Sequence, residues 1–250
     1  NATLAAISMG TRKVTEIRGK IVKAAKGQLV LFRNISGRFH GGKLVGKASM
    51  RLGEKVSYAF RVSVQGAELE KLANAGVTDP NAMVKMPGSV SGDLALQQTL
   101  GEADSRRATG TLTISDAKLY RVPVLLGLLQ VITLQLPGES AFNEGTIRYQ
   151  LSGDRLLLRE INLSGQGLSI VGSGVMNMDS EKIRLNFLSR TVGKLPGIGR
   201  DLETLLKPFT KEIMEIQVTG TLKKPRMRTV ALRSLDSAIR RLLSPELEDD

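Results

Sequence analysis

"VSYAFRVSV", Val56 to Val64, places Val56, Tyr58, Phe60, Val62 and Val64 at every second position, with Ser57, Ala59, Arg61 and Ser63 between them. A period of two sends successive side chains to opposite faces of a sheet. One face of this stretch is apolar and the other is small or charged. It predicts a strand with one face against an apolar layer and the other in water.

The same alternation spreads in both directions. Leu44, Gly46, Ala48, Met50 and Leu52 oppose Lys43, Lys47, Ser49 and Arg51. Gly110, Leu112 and Ile114 oppose Thr109, Thr111, Thr113 and Ser115, and Ile147, Tyr149 and Leu151 oppose Arg148, Gln150 and Ser152. Leu168, Ile170, Gly172, Gly174, Met176 and Met178 form one row. Ile183, Leu185 and Phe187 form another, and Ile216, Val218, Gly220 and Leu222 a last. Turn residues separate the runs in "HGGK", "LGEK", "ISDAK", "LSGDR", "LSGQG" and "NMDSEK". Short alternating runs between such turns predict a mostly β, antiparallel meander.

Four stretches depart from the period and predict short helices near 67–75, 123–134, 200–213 and 234–243. "GAELEKLANAGV" follows Gly66 with Leu69, Leu72 and Ala73 at helical spacing, and "VPVLLGLLQVITL" opens with Pro123 in its first turn. "GRDLETLLKPFTKEI" groups Leu202, Leu205 and Leu206 before Pro208 interrupts. "SLDSAIRRLL" carries Leu235, Ile239, Leu242 and Leu243 on one side, with Ser234 or Ser237 near its start as the cap.

One stretch invites a different reading. Gly41, Gly46 and Lys47 spell G-x-x-x-x-G-K, the opening of a phosphate-binding loop. Such a loop needs a Ser or Thr next and then a helix; here Ala48 follows, and the residues beyond alternate as a strand. The expectation is a hairpin, with Gly41 and Gly42 supplying positive φ and His40 an exposed turn residue. The glycines of "SGQGLSIVGSGVMNM" lack the dinucleotide spacing. Gly172 and Gly174 fall on the inward face of a strand, where they predict a bend in the sheet or something lying against it.

Composition bounds the chemistry. The chain has 250 residues, no Cys and a single His. Thiolate metal sites, disulfides and multi-histidine metal sites are excluded. Asp93, Asp104, Asp154 and Asp179 stand in turns or beside Ser and Gly, where turn chemistry accounts for them, so we expect no enzyme and no cofactor. The longest apolar run, Val122 to Gly138, has a proline near each end, Pro123 and Pro137, contains Gln130, and is shorter than the ~20 residues of a membrane-spanning helix. We read the chain as a soluble piece of something longer.

Net charge is +12 and uneven, because residues 1–60 hold twelve Lys or Arg against Glu16 and Glu54. A second basic cluster is Lys223, Lys224, Arg226, Arg228 and Arg233, and the chain ends on Glu246, Glu248, Asp249 and Asp250. Such asymmetry points to an anionic partner, with solvated strand faces as the plain alternative. Nucleic acid is disfavoured, since stacking platforms need exposed aromatics and Phe32 and Phe39 read as buried.

Several segments in order resemble the C-terminal region of AsmA-like proteins, a group akin to TamB. They are "ISGRFHGGKLVGKASMRL", "ATGTLTISDAKLYRVPVLLGLLQVI", "SAFNEGTIRYQLSGDRLLLREINLSGQGLSIVGSGVMNMDSEKIRLNF" and the closing "IQVTGTLKKPRMRTVAL". The resemblance implies one domain over 1–250, a long curved antiparallel sheet shaped like a taco around an apolar groove. It also implies a place in the periplasm or cell envelope, anchored in the inner membrane by a segment outside this chain. The role implied is phospholipid transport between membranes in support of outer-membrane assembly. Under it, acyl chains would lie along Val56, Tyr58, Phe60, Val62, Leu112, Ile147, Tyr149, Leu168, Ile170 and Met176. From the residues themselves, the outward Lys43, Lys47 and Arg51 could meet the headgroups of an anionic membrane surface or anionic surface polymers, and other envelope proteins are further partners. Periodicity alone leaves open a closed sandwich in which the apolar faces pack on each other.

Overall fold

The computed structural model describes residues 2–9, 12–23, 25–117, 142–165, 168–190, 213–230 and 234–243. Among these residues there are thirteen strands, so the fold is mostly β, and strands consecutive in the chain pair as neighbours in the manner of the meander expected from the turns. The chain forms two compact units, Asn1–Asp116 with Leu151–Gly153, and Ala117–Gln150 with Asp154–Asp250.

The first unit contains β1 (Ala2–Met9), β2 (Arg12–Lys23), β3 (Leu29–Phe39), β4 (Gly42–Arg51), β5 (Ser57–Glu68), α1 (Leu69–Ala73), β6 (Ser89–Thr99) and β7 (Glu102–Ser115). Its ladders are antiparallel throughout. The β3–β4 hairpin closes between Phe39 and Gly42, which are paired. The two turn residues are therefore His40 (φ 46°) and Gly41 (φ 86°), the left-handed pair that matches strand twist. This corrects the expectation at two points. Gly42 is a strand residue without positive φ, and His40 is half-buried, its ring edge-on to Phe39 at 4.5 Å. The strand that follows Lys47 rules out the phosphate-loop geometry, as expected.

Helix α1 appears where the period breaks, after Gly66 at φ 65°. The segment beyond it is fastened back onto it. Asn74 donates from Nδ2 to the Val84 carbonyl and accepts the Val84 N–H at Oδ1, both at 2.8 Å, and Met86 N–H donates to Glu70 Oε2 at 3.2 Å.

The second unit contains β8 (Glu144–Ser152, whose last two residues group with the first unit), β9 (Arg155–Ser164), β10 (Ser169–Asn177), β11 (Ile183–Arg190), β12 (Ile213–Gly220), β13 (Pro225–Val230) and α2 (Leu235–Leu243). The β9 to β13 ladders are antiparallel. In the β9–β10 ladder Ile161 pairs with Gly172 but Leu158 with Gly174, so β9 carries an extra residue there and bends. Gly172 also makes room: a Cβ would stand 2.2 Å from Cδ1 of Phe187 on the next strand. The register irregularity opposite that glycine cluster lies on β9, and what lies against Gly172 is the ring of Phe187.

Helix α2 begins at the predicted cap, where Ser234 Oγ accepts the Ser237 N–H at 3.1 Å. Its apolar side, Leu235, Ala238, Ile239 and Leu242, packs on Val171, Leu188 and Ile213. Two polar links hold it. The buried Ser173 hydroxyl donates to the Leu242 carbonyl. Arg241 donates from Nε and Nη2 to the two oxygens of Glu215, each at 2.7 Å. That hydrogen bonding holds the Arg241 pKa above its ordinary value. The helices expected near 123–134 and 200–213 lie outside the described residues, except that Ile213 opens β12.

Candidate functional site

Register decides which side chains share a face. In the first unit Gly46, Ala48 and Met50 of β4 stand opposite Val62, Phe60 and Tyr58 of β5. Those in turn stand opposite Leu94, Leu96 and Gln98 of β6. Leu94 and Gly92 lie against Gly110 and Leu112 of β7, and Phe32 of β3 pairs with Ala48. The result is a single apolar face running across β3 to β7.

That face is only half covered. Phe32, Met50, Tyr58, Phe60, Val62, Leu94, Leu96 and Leu112 are all of intermediate exposure. At one end it closes. Leu44, Ala67, Val90 and Ile114 are buried there, as are Leu69 of α1 and Met86 of the segment strapped to it. Toward the other end, at Met50 and Tyr58, it stays partly open, and Tyr58 satisfies its hydroxyl by donating to Gln98 Oε1 at 2.9 Å.

The expected acyl-facing residues divide between the units. Tyr58, Phe60, Val62 and Leu112 lie together on the open face of the first. Val56 immediately precedes β5, half-buried, and its carbonyl accepts the Leu100 N–H at 2.8 Å. In the second unit Ile147 and Tyr149 are half-buried on β8. They alternate with Arg148, which pairs with Glu160 at 3.0 Å, and Gln150, which accepts from Arg159. Met176 is half-buried at the end of β10, whereas Leu168 (6% exposed) and Ile170 (0%) are packed inside that unit.

The alternation also left out members of the open face. Phe32 and Ile35 belong to β3, and Leu94 and Leu96 to β6; for β6 the signal, Val90, Gly92, Leu94 and Leu96 at every second place, is present in the sequence. Phe32 and Phe39, read as buried, are half-buried.

The opposite face of the same strands is polar. Lys43, Lys47 and Arg51 all lie on it and are exposed. Lys43 stands opposite Arg38 and Lys47 opposite Arg61, while Arg51 is flanked by Leu29 and Ser57. Lys55, between β4 and β5, is bonded to Glu102; that hydrogen bond, and then the carboxylate's charge, raise its pKa from 10.5.

Among the described residues no cluster of acidic and histidine side chains has the grouping to hold a metal ion, and no helix is long and apolar enough to cross a membrane. No protein-family model, no curated protein and no solved structure matches this chain.

Proposed function

We propose that this chain is a non-enzymatic, AsmA-like lipid-handling protein of the bacterial envelope, and that the open apolar face of β3 to β7 holds phospholipid acyl chains. The observation that carries the reading is the half-exposure of Phe60, Val62, Leu94, Leu96 and Leu112 on adjacent strands. Contiguous apolar surface of this kind on a folded domain marks a binding site for something apolar. Aliphatic and aromatic side chains in rows along a sheet offer dispersion contact to a flexible hydrocarbon without fixing its headgroup. No chemical step is required, since movement along such a face needs only exchange of equivalent contacts. The ordered resemblance to AsmA-like segments supports the periplasmic setting and the role in outer-membrane assembly.

The test is native mass spectrometry, with lipid extraction, of the chain purified from bacteria under mild conditions. Phospholipid at a fixed ratio is expected, and Phe60→Glu removes it while leaving the strand content by circular dichroism unchanged. A folded Phe60→Glu variant with undiminished lipid overturns the assignment of this face. A lipid-free wild-type chain that retains envelope proteins or anionic surface polymers favours an assembly module instead.

A further inference from the structure

The face of β2 to β5 turned away from the apolar one has an arrangement that folding alone disfavours. Lys20 of β2 pairs with Arg33 of β3, Arg38 of β3 with Lys43 of β4, and Lys47 of β4 with Arg61 of β5. Like charges directly opposite each other destabilise a ladder. Lys47 also faces the β3 bulge at Arg33 and Asn34, because Phe32 pairs with Ala48 and Ile35 with Gly46. Lys20, Arg33, Lys47 and Arg61 therefore form a row across four consecutive strands, about 14 Å from end to end at the usual strand spacing. Arg38 and Lys43 start a second row, four residues along β4, a further ~14 Å away. All six side chains are exposed. Among the described residues their one ion pair is Arg38 with Glu16, at 3.6 Å and largely in solvent.

From this register we infer that the basic face of β2 to β5 is a docking surface for an anionic phospholipid bilayer. Three features select that occupant. The cations are spread in two dimensions over a sheet face, which suits a plane of headgroups; a single polyanionic strand would be tracked by one row. The face presents no aromatic side chain for base stacking, because Phe32, Phe39, Tyr58 and Phe60 all belong to the other side. Between Lys43 and Lys47 stands Val45, 40% exposed, an apolar side chain set among cations at the depth where it can enter a headgroup layer. The opposed charges are neutralised on contact, so the repulsion built into the ladder is relieved by binding. This inference is independent of the acyl-chain reading, since it concerns the other face of the strands.

The experiment is flotation of the whole chain with lipid vesicles at ~0.1 M salt, where surface charges are screened beyond about 10 Å. Vesicles containing phosphatidylglycerol are expected to bind, and pure phosphatidylcholine vesicles are not. Binding to the former should fall steeply as salt is raised. Lys43→Ser/Lys47→Ser/Arg61→Ser together should weaken it by roughly a hundredfold, from the usual contribution of a basic residue near an anionic membrane. Its melting temperature should be no lower than that of the natural chain, because two like-charge contacts have gone. Lys43→Arg/Lys47→Arg, which keeps the charge, should bind as before. Equal binding to phosphatidylcholine, or a triple variant that floats undiminished, overturns the inference and assigns any membrane contact to the apolar face. Tighter salt-sensitive binding to single-stranded DNA than to the anionic vesicles overturns it in favour of a nucleic acid.

Discussion

The two units use alternating sequence to opposite ends. In the first, the residues between the apolar ones are Lys, Arg, Ser and Thr, and the apolar face itself stays half-exposed. In the second, β10 reads "SIVGSGVMN" and is buried on both faces: Ile170, Val171, Ser173 and Val175 are each 0% exposed. Its two sides have different partners. Gly172 and Gly174 lie against Phe187 and Leu185 of β11, while Val171 and Ser173 lie under α2. A strand covered on both sides has no place for charge, so its polar positions shrink to Ser and Gly. A strand covered on one side only, and there incompletely, keeps charge on the wet face and leaves part of its apolar face available. The contrast places sealed packing in the second unit and a partly exposed apolar face in the first.

The comparison can be broken most directly by deleting one aromatic from each. Phe187→Ala should cost about 3–5 kcal/mol, because the ring is 1% exposed and Gly172 cannot fill the space. Phe60→Ala should cost about 1–2 kcal/mol, since part of that ring is already in water. Amide hydrogen exchange, read strand by strand, separates the two; equal losses would mean the first unit's face is as well packed as the second's.

Next in size is the polar link under α2. Arg241→Leu leaves the Glu215 carboxylate (1% exposed) without its partner and should cost roughly 3 kcal/mol, the lower part of the range for a broken buried pair because the guanidinium is partly solvated. Glu215→Leu/Arg241→Leu should be milder than Arg241→Leu alone, measured by urea denaturation. The reverse order would mean that the pair itself, beyond the burial of its charges, holds the helix.

On the first unit's wet face the sign reverses. Lys47→Ser removes a cation facing Arg61 and should stabilise by a few tenths of a kcal/mol. A loss on thermal melting would mean that Lys47 has a structural role there. Smallest is the exposed Lys55–Glu102 pair. The Lys55 pKa is raised from 10.5, so the pair's contribution is whole below that value and disappears as pH rises through the raised one. Any difference in melting temperature between Lys55→Met and the natural chain should therefore be small and flat from neutral pH up to about 10.

Much of this was legible along the chain. The rows through Tyr58, Leu112, Ile147 and Phe187, the hairpin at His40, the cap at Ser234 and the short helix after Gly66 follow from side-chain period and turn chemistry. Strands β2 and β3 were hidden for a physical reason. Glu16 (φ 54°) and Asn34 (φ 53°) are left-handed bulge residues, and the β2–β3 register shifts between Thr15 and Arg18 and again between Arg18 and Lys20. Each inserted residue resets the parity of the alternation, so a strict period of two loses the strand. In β9 the run Leu156, Leu157, Leu158 masks the period, and the bend beyond it shifts it.

By itself the sequence determined the class of the fold, because a period of two and its turns are local properties carried by neighbouring residues. It also determined that residues 1–60 carry a large surplus of positive charge. Only the tertiary structure decided which apolar rows are covered. Ile170 and Phe60 sit in the same kind of alternating run, yet one is sealed and the other half-open, because burial depends on what packs from a distance in the chain. Only the ladder register, likewise, set Lys47 against Arg61 and Arg38 against Lys43, turning a surplus of charge into a patterned surface.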